Sequence, residues 1–289
     1  MIQLPWLKRW RLVVARPRAA ARRPTSVRPA LEMLEDRAVP SVGHPGVYDP
    51  SSGFFFLKNS FGNGGADLTF QYGPANAGFV PVVGDWDGNG TTTVGVYDPS
   101  SGFFFLKNTN AAGGADLTFQ YGPGGAGFVP IVGDWDGDGK TTVGLYDPAS
   151  GFFFLKNTNA AGPAGLSFQY GPANAGFVPI AGDWDGNRTT TVGVWNPTNS
   201  AFFIKNTNAA GPADAIYYFF TGNSNKKPLA GDWDDNGTVT VGLFESGPSR
   251  WDLSNHITDG EIDVTPAQTF FFGPPVAGFL PPVGDWNGA

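Results

Sequence analysis

The chain predicts an all-β fold assembled from repeats, and three observations carry that prediction. Glycine and proline supply 42 and 25 of its 289 residues, which interrupts almost every stretch before a long helix could form. Its 25 Phe, 9 Trp and 8 Tyr present too much apolar surface for a chain that stays unfolded. The tripeptide Gly-Asp-Trp recurs with its aspartate at Asp85, Asp134, Asp183, Asp232 and Asp285, at intervals of 49, 49, 49 and 53 residues. A period of that length marks a propeller, a solenoid or an array.

Each repeat reads as four short strands separated by turn chemistry. In the first repeat these cover 46–49, 54–59, 67–72 and 79–83. Between them lie Asp-Pro-Ser-Ser-Gly at 49–53, a glycine-rich stretch at 62–65 and Gly-Pro-Ala-Asn-Ala-Gly at 73–78, all turn formers. Four strands every 49 residues is the blade pattern of a β-propeller. Runs such as Phe54-Phe55-Phe56-Leu57 are apolar on both faces and suit a sheet sandwiched between sheets. Proline stands four residues before each repeated aspartate, at Pro81, Pro130, Pro179, Pro228 and Pro281. It cannot donate to a ladder and belongs on an edge strand, so 79–83 and its equivalents are placed innermost, along the channel. The last residues, 284–289, read as an inner strand and half a loop, and residues 46–50 as the strand that would follow it. The expected architecture is a closed five-bladed propeller over 42–289, its last blade closed by pairing of N- and C-terminal strands. A truncated larger array is the competing reading.

Residues 1–41 form a separate unit. Residues 1–40 carry nine basic residues against three acids, net +6, and the remainder is net −13. Pro17, Pro24 and Pro29 block a continuous helix, so this leader is expected to be largely unstructured. The acidic body cannot neutralise a run of phosphates, which argues against nucleic acid. No run reaches 18 apolar residues, so no helix is expected to span a membrane. The absence of cysteine excludes a disulfide scaffold, thiol catalysis and cysteine-based zinc sites. Leu31-Glu32-Met33-Leu34-Glu35-Asp36-Arg37-Ala38-Val39-Pro40-Ser41 resembles the L-E-x-L-E-D-R-x-V-P-S segment near the start of many exported bacterial proteins. That resemblance implies export to the envelope or outside the cell.

The loops after the inner strands carry the candidate chemistry. Asp134-Trp135-Asp136-Gly137-Asp138-Gly139-Lys140-Thr141-Thr142 offers side-chain oxygens at positions 1, 3 and 5 and a glycine at 6, which lets alternate residues converge on a hard cation. The signature resembles the FG-GAP and VCBS-like repeats of integrin-type propellers, and the resemblance implies calcium as cofactor. Its ligands would be Asp85, Asp87, Asn89 and Thr93; Asp134, Asp136, Asp138 and Thr142; Asp183, Asp185, Asn187 and Thr191; and Asp232, Asp234, Asn236 and Thr240. The pattern departs from the family in three ways. Threonine replaces the usual ninth-position aspartate, asparagine takes position 5 in three loops, and Arg188 replaces a turn glycine expected at positive φ. The alternative is that these Asx-Gly turns close on their own side-chain hydrogen bonds without metal. Asn89, Asn187 and Asn236 also fit the N-x-Thr glycosylation pattern.

The repeated tryptophans Trp86, Trp135, Trp184, Trp233 and Trp286, with Phe55, Phe104, Phe153, Phe202 and Trp251, read as packing anchors between blades. Partial exposure is expected of Tyr48, Tyr97, Tyr146, Trp195 and Phe244. His44 and His256 have no nucleophile motif beside them, and most carboxylates are copied in every loop, which argues against one asymmetric catalytic site. Chemistry unique to one place belongs where the repeats differ, and simple drift in the outer blades is the favoured alternative. Arg250 and Asp252 replace phenylalanines in the fifth repeat, four extra residues fall within 254–266 beside His256, Asp259, Glu261 and Asp263, and Lys226 and Lys227 depart in the fourth. The expected function is an exported, non-catalytic, monomeric propeller acting as a structural or binding module for a protein or glycan ligand. A lectin-like carbohydrate binder is the alternative, and a glycan-active hydrolase or lyase the third reading.

Overall fold

The computed structural model describes residues 43–219 and 225–288; the leader and its export-like segment lie outside the described residues. Strands β1 (His44–Asp49), β2 (Phe54–Leu57) and β3 (Leu68–Gln71) open the chain. The first full blade is β4 (Val80–Gly84), β5 (Thr93–Asp98), β6 (Phe103–Leu106) and β7 (Leu117–Gln120). The second is β8 (Val129–Gly133), β9 (Thr142–Asp147), β10 (Phe152–Leu155) and β11 (Leu166–Gln169). The third begins with β12 (Val178–Gly182), β13 (Thr191–Asn196), β14 (Ala201–Ile204) and β15 (Ala215–Phe219). There follow β16 (Lys226–Gly231), β17 (Thr240–Glu245), β18 (Arg250–Leu253), β19 (Ile262–Asp263) and β20 (Gln268–Phe271), and finally β21 (Val283–Gly284). Strands β16, β17, β18 and β20 form the fourth blade, and β19 adds a parallel fifth strand to the outer edge of the third. The extra residues of the last interval thus cap a neighbouring blade.

The closing blade has the order β21-β1-β2-β3. His44 pairs with Gly284 and Pro45 with Val283, as Thr93 pairs with Gly84 in the first blade. The inner strands β4, β8, β12, β16 and β21 neighbour one another in turn and back to β4. The ring is closed, with five blades of four antiparallel strands. Strands β4, β8, β12 and β16, which carry repeated prolines, each occupy the end of their sheet, as in Pro81 opposite Val96, so the missing N–H falls on the unpaired edge.

The blades pack face to face. Tyr48, Phe55, Leu57, Phe70 and Trp286 of the closing blade meet Val94 and Val96 of the first, with Phe79 and Phe105 at the margin. Burying each large apolar side chain contributes roughly 1.5–3 kcal/mol, and the arrangement repeats at every seam. The expected partial exposure of Tyr48, Tyr97, Tyr146, Trp195 and Phe244 is corrected here. All five are buried, because their row lies against the adjoining sheet rather than at its rim.

Candidate functional site

The Gly-Asp-Trp loops gather at one end of the inner strands. In the first, Asp85 accepts hydrogen bonds from the amides of Gly88 (2.8 Å) and Asn89 (3.0 Å) on Oδ1 and of Gly90 (2.7 Å) on Oδ2. Asp134 accepts the equivalent amides of Gly137, Asp138 and Gly139. Asp183 takes those of Asn187 and Arg188, and Asp232 those of Asn236 and Gly237. The loops therefore close on their own side chains. Burial holds the carboxyls of Asp85, Asp134, Asp183 and Asp232 above the usual carboxylate range, against the lowering effect of these amides.

The second loop brings ligand oxygens of Asp134, Asp136 and Asp138 within 4.8 Å of one another, a donor set that suits a hard cation. Asp87, Asp185 and Asp234 are exposed at the third position of the other loops. At position 5, Asn89, Asn187 and Asn236 each accept an amide two residues on, from Thr91, Thr189 and Thr238. The position-9 threonines are buried, and their hydroxyls donate to strand carbonyls: Thr93 to Gly84, Thr191 to Gly182, Thr142 to Gly133 and Lys156, and Thr240 to Gly231 and Ser254. The residues fit a calcium ion best at 134–138, where three carboxylates converge, and the threonines are already engaged with the sheet.

The same loops fasten blade to blade. The Thr141 amide donates to the Asp85 carbonyl while the Asp85 amide donates to Thr141 Oγ1. The pairs Thr190–Asp134 and Thr92–Asp285 repeat this two-way clasp. Val239 and Gly43 keep only the backbone half, to Asp183 and Asp232. The glycine of the motif is required by close approach: a Cβ on Gly84 or Gly284 would lie 2.4 Å from the threonine methyl of the next blade.

Asymmetry is concentrated at the seam between the third and fourth blades. In the first three blades a phenylalanine just before the inner strand stacks on one in the third strand: Phe79 on Phe105 (5.9 Å), Phe128 on Phe154 (5.8 Å) and Phe177 on Phe203 (5.6 Å). In the fourth blade Lys226 and Asp252 occupy these places, and Lys226 Nζ lies 3.1 Å from Asp252 Oδ2 with both side chains buried. Arg250 Nε and Thr269 Oγ1 each donate to Asp252 Oδ1 at 2.9 Å. The outliers of two successive repeats thus meet in one blade, since a blade takes its inner strand from one repeat and its outer strands from the next.

The inserted segment lies along the same seam. Tyr217 donates to Asp263 Oδ2 and shares a hydrogen bond with Ser254 Oγ, both at 2.9 Å. Burial pushes the Tyr217 hydroxyl well above the ordinary phenol range. His256 Nε2 lies 3.2 Å from Glu261, and Asp259 accepts the Ile216 amide. Ile262 and Val264 remain exposed.

The inner strands enclose a channel of about 1000 Å³. Lys226 and Lys227 line it together with the loop aspartates. The repeated tryptophans, by contrast, are buried between blades.

No protein-family model matches the chain, and no curated protein matches it. A solved structure that is similar covers 77% of this chain and 76% of its own, at 13% identity and a TM-score of 0.38. It is a lectin of Agrocybe aegerita described as recognising non-reducing terminal N-acetylglucosamine. The resemblance to FG-GAP and VCBS-like repeats therefore rests on the loop residues themselves.

Proposed function

We propose that this chain is an exported, non-catalytic propeller serving as a binding module, with its ligand taken where the third and fourth blades meet. The observation that supports this is the replacement of a thrice-repeated phenylalanine stack by the Lys226–Asp252–Arg250 cluster. Interblade packing needs no such group, and a buried ion pair rarely stabilises more than the apolar contact it replaces. Three near-identical seams supply a rigid frame, and the polar seam supplies chemistry. The lectin reading loses its first candidates, because the repeated tryptophans are buried and unavailable for stacking on a sugar. Export rests on the basic leader and the segment at 31–41.

Calcium belongs to this proposal as a structural ion at Asp134, Asp136 and Asp138. A ligand that binds only the folded chain raises the melting temperature by mass action, so melts with calcium against chelator test it, and indifference to both leaves the loops closed by hydrogen bonds alone.

The binding reading is tested by screening the full chain against immobilised glycans and cell-envelope proteins beside the variant Lys226→Phe/Arg250→Phe/Asp252→Phe, which restores the repeated pattern. A ligand held by the native chain and lost by the variant supports the reading. Equal binding by both chains, or turnover of a polysaccharide, contradicts it.

A further inference from the structure

Five residues stand at one register of the inner strands where the channel opens away from the aspartate loops. Val80, Val129 and Val178 pair with Tyr97, Tyr146 and Trp195, Lys227 pairs with Phe244, and Leu280 bridges Tyr48. All five line the channel. Four are aliphatic and one carries an ammonium. Lys227 is half-buried, and burial lowers its pKa with no opposing charge acting on it. Its neighbour Lys226 is engaged by Asp252, and Asp252 in turn by Arg250 and Thr269. Among the described residues no carboxylate pairs with Lys227.

A cation withdrawn from water without a partner is costly, and the cost is recovered when an anion enters beside it. The surrounding wall of Val80, Val129, Val178 and Leu280, backed by the ring of prolines, favours an apolar body on that anion. An inorganic anion would gain the ammonium but nothing from the apolar wall that strips its water, whereas a neutral apolar molecule would leave the ammonium unpaired. At the opposite end Lys140 and Arg188 line the channel among the loop aspartates, whose oxygens accept loop amides, so Lys227 is the cation of the apolar mouth.

We infer that the channel mouth at Lys227 is a binding site for an organic anion with an apolar body, a medium-chain or aromatic carboxylate, with Lys227 Nζ donating to the carboxylate and the valine ring covering the chain. This rests on the reading of the propeller as a binding module and names the ligand class for one part of its unlike blade.

The test is calorimetric titration of the full chain with octanoate, octanol and sulfate, beside Lys227→Val, the residue that three other blades carry at this register. The expected result is saturable octanoate binding, no sulfate binding, and a loss of about tenfold or more in octanoate affinity in Lys227→Val, the scale of a lost charge-assisted hydrogen bond. Octanoate should also protect Lys227 of the native chain from reductive methylation, read by peptide mass, which keeps the test open should the variant fail to fold. Absence of octanoate binding, equal binding by Lys227→Val, sulfate binding as tightly as octanoate, or methylation unaffected by octanoate would each overturn the inference. None of these outcomes would remove a glycan or protein ligand that depends on Lys226, Arg250 and Asp252, so the two failures are distinguishable.

Discussion

Arg188 holds a backbone φ of 71°, where the equivalent Gly90, Gly139 and Gly237 hold 88°, 86° and 82°. A side chain in this left-handed region costs roughly 1–2 kcal/mol, which glycine avoids. Because the Arg188 amide still donates to Asp183, the loop keeps its shape and carries the strain. Arg188→Gly should stabilise the chain by about 0.5–1 kcal/mol, after the added freedom of glycine in the unfolded state is subtracted. Urea unfolding measures this directly, and a loss of stability would show that the arginine makes a compensating contact. The need for a turn residue here was legible in the sequence, because the sixth position of the loop is glycine elsewhere. The reason for the first glycine of Gly-Asp-Trp was not. It answers to a threonine in the next blade, Thr141 for Gly84, and no local pattern displays a contact of that kind.

At the scale of elements, the fourth blade separates what periodicity reveals from what it hides. The repeat exposes Lys226, Arg250 and Asp252 as departures, because phenylalanine holds the first and last of these places in the other repeats and the Arg250 place in three of them. It cannot show that they touch, since Lys226 closes one repeat and Asp252 lies in the next. Likewise the residues added within 254–266 declare an insertion, while the parallel pairing of Ile262 with Tyr218 depends on which neighbouring sheet has a free edge. The energetics of the cluster are asymmetric. Removing one partner leaves a buried charge, so Asp252→Ala should cost about 3–5 kcal/mol. Replacing Lys226, Arg250 and Asp252 together by phenylalanine should be near neutral or stabilising, as for other buried ion clusters exchanged for packed apolar groups. Denaturant melts of the two variants decide between a cluster kept for stability and one kept for binding. A triple variant as unstable as Asp252→Ala would favour stability and weaken the proposed function.

The whole molecule depends on how the ring closes. His44 stands at the closing seam where the other blades carry threonine. Among the described residues its buried Nδ1 has no hydrogen-bond partner, and its ring lies 5.4 Å from Phe61. Burial lowers its pKa, and Asp285 and Asp67 oppose that only in part. The folded state therefore favours neutral imidazole, while the unfolded chain takes up its proton near pH 6.5. The resulting stability is fully present above about pH 6.5 and is lost as pH falls through the lowered folded value. His44→Thr should flatten the fall of melting temperature as pH drops below about 6.5 relative to the native chain. An unchanged slope would place the acid sensitivity elsewhere.

Closure itself is carried by β21 with Phe279 and Trp286, both buried, and by the Trp286 indole donating to the Pro45 carbonyl at 3.3 Å. Unfolding of the chain lacking residues 279–289, followed by heat and by analytical ultracentrifugation, tests this most directly. With the inner strand gone, the closing blade and both its seams lose their anchors, each large aromatic worth about 3–5 kcal/mol. The account predicts a fall in melting temperature of at least about 10 °C and association through the opened blade edges. A monomer that melts at the native temperature would contradict the closed ring and leave an open array of blades.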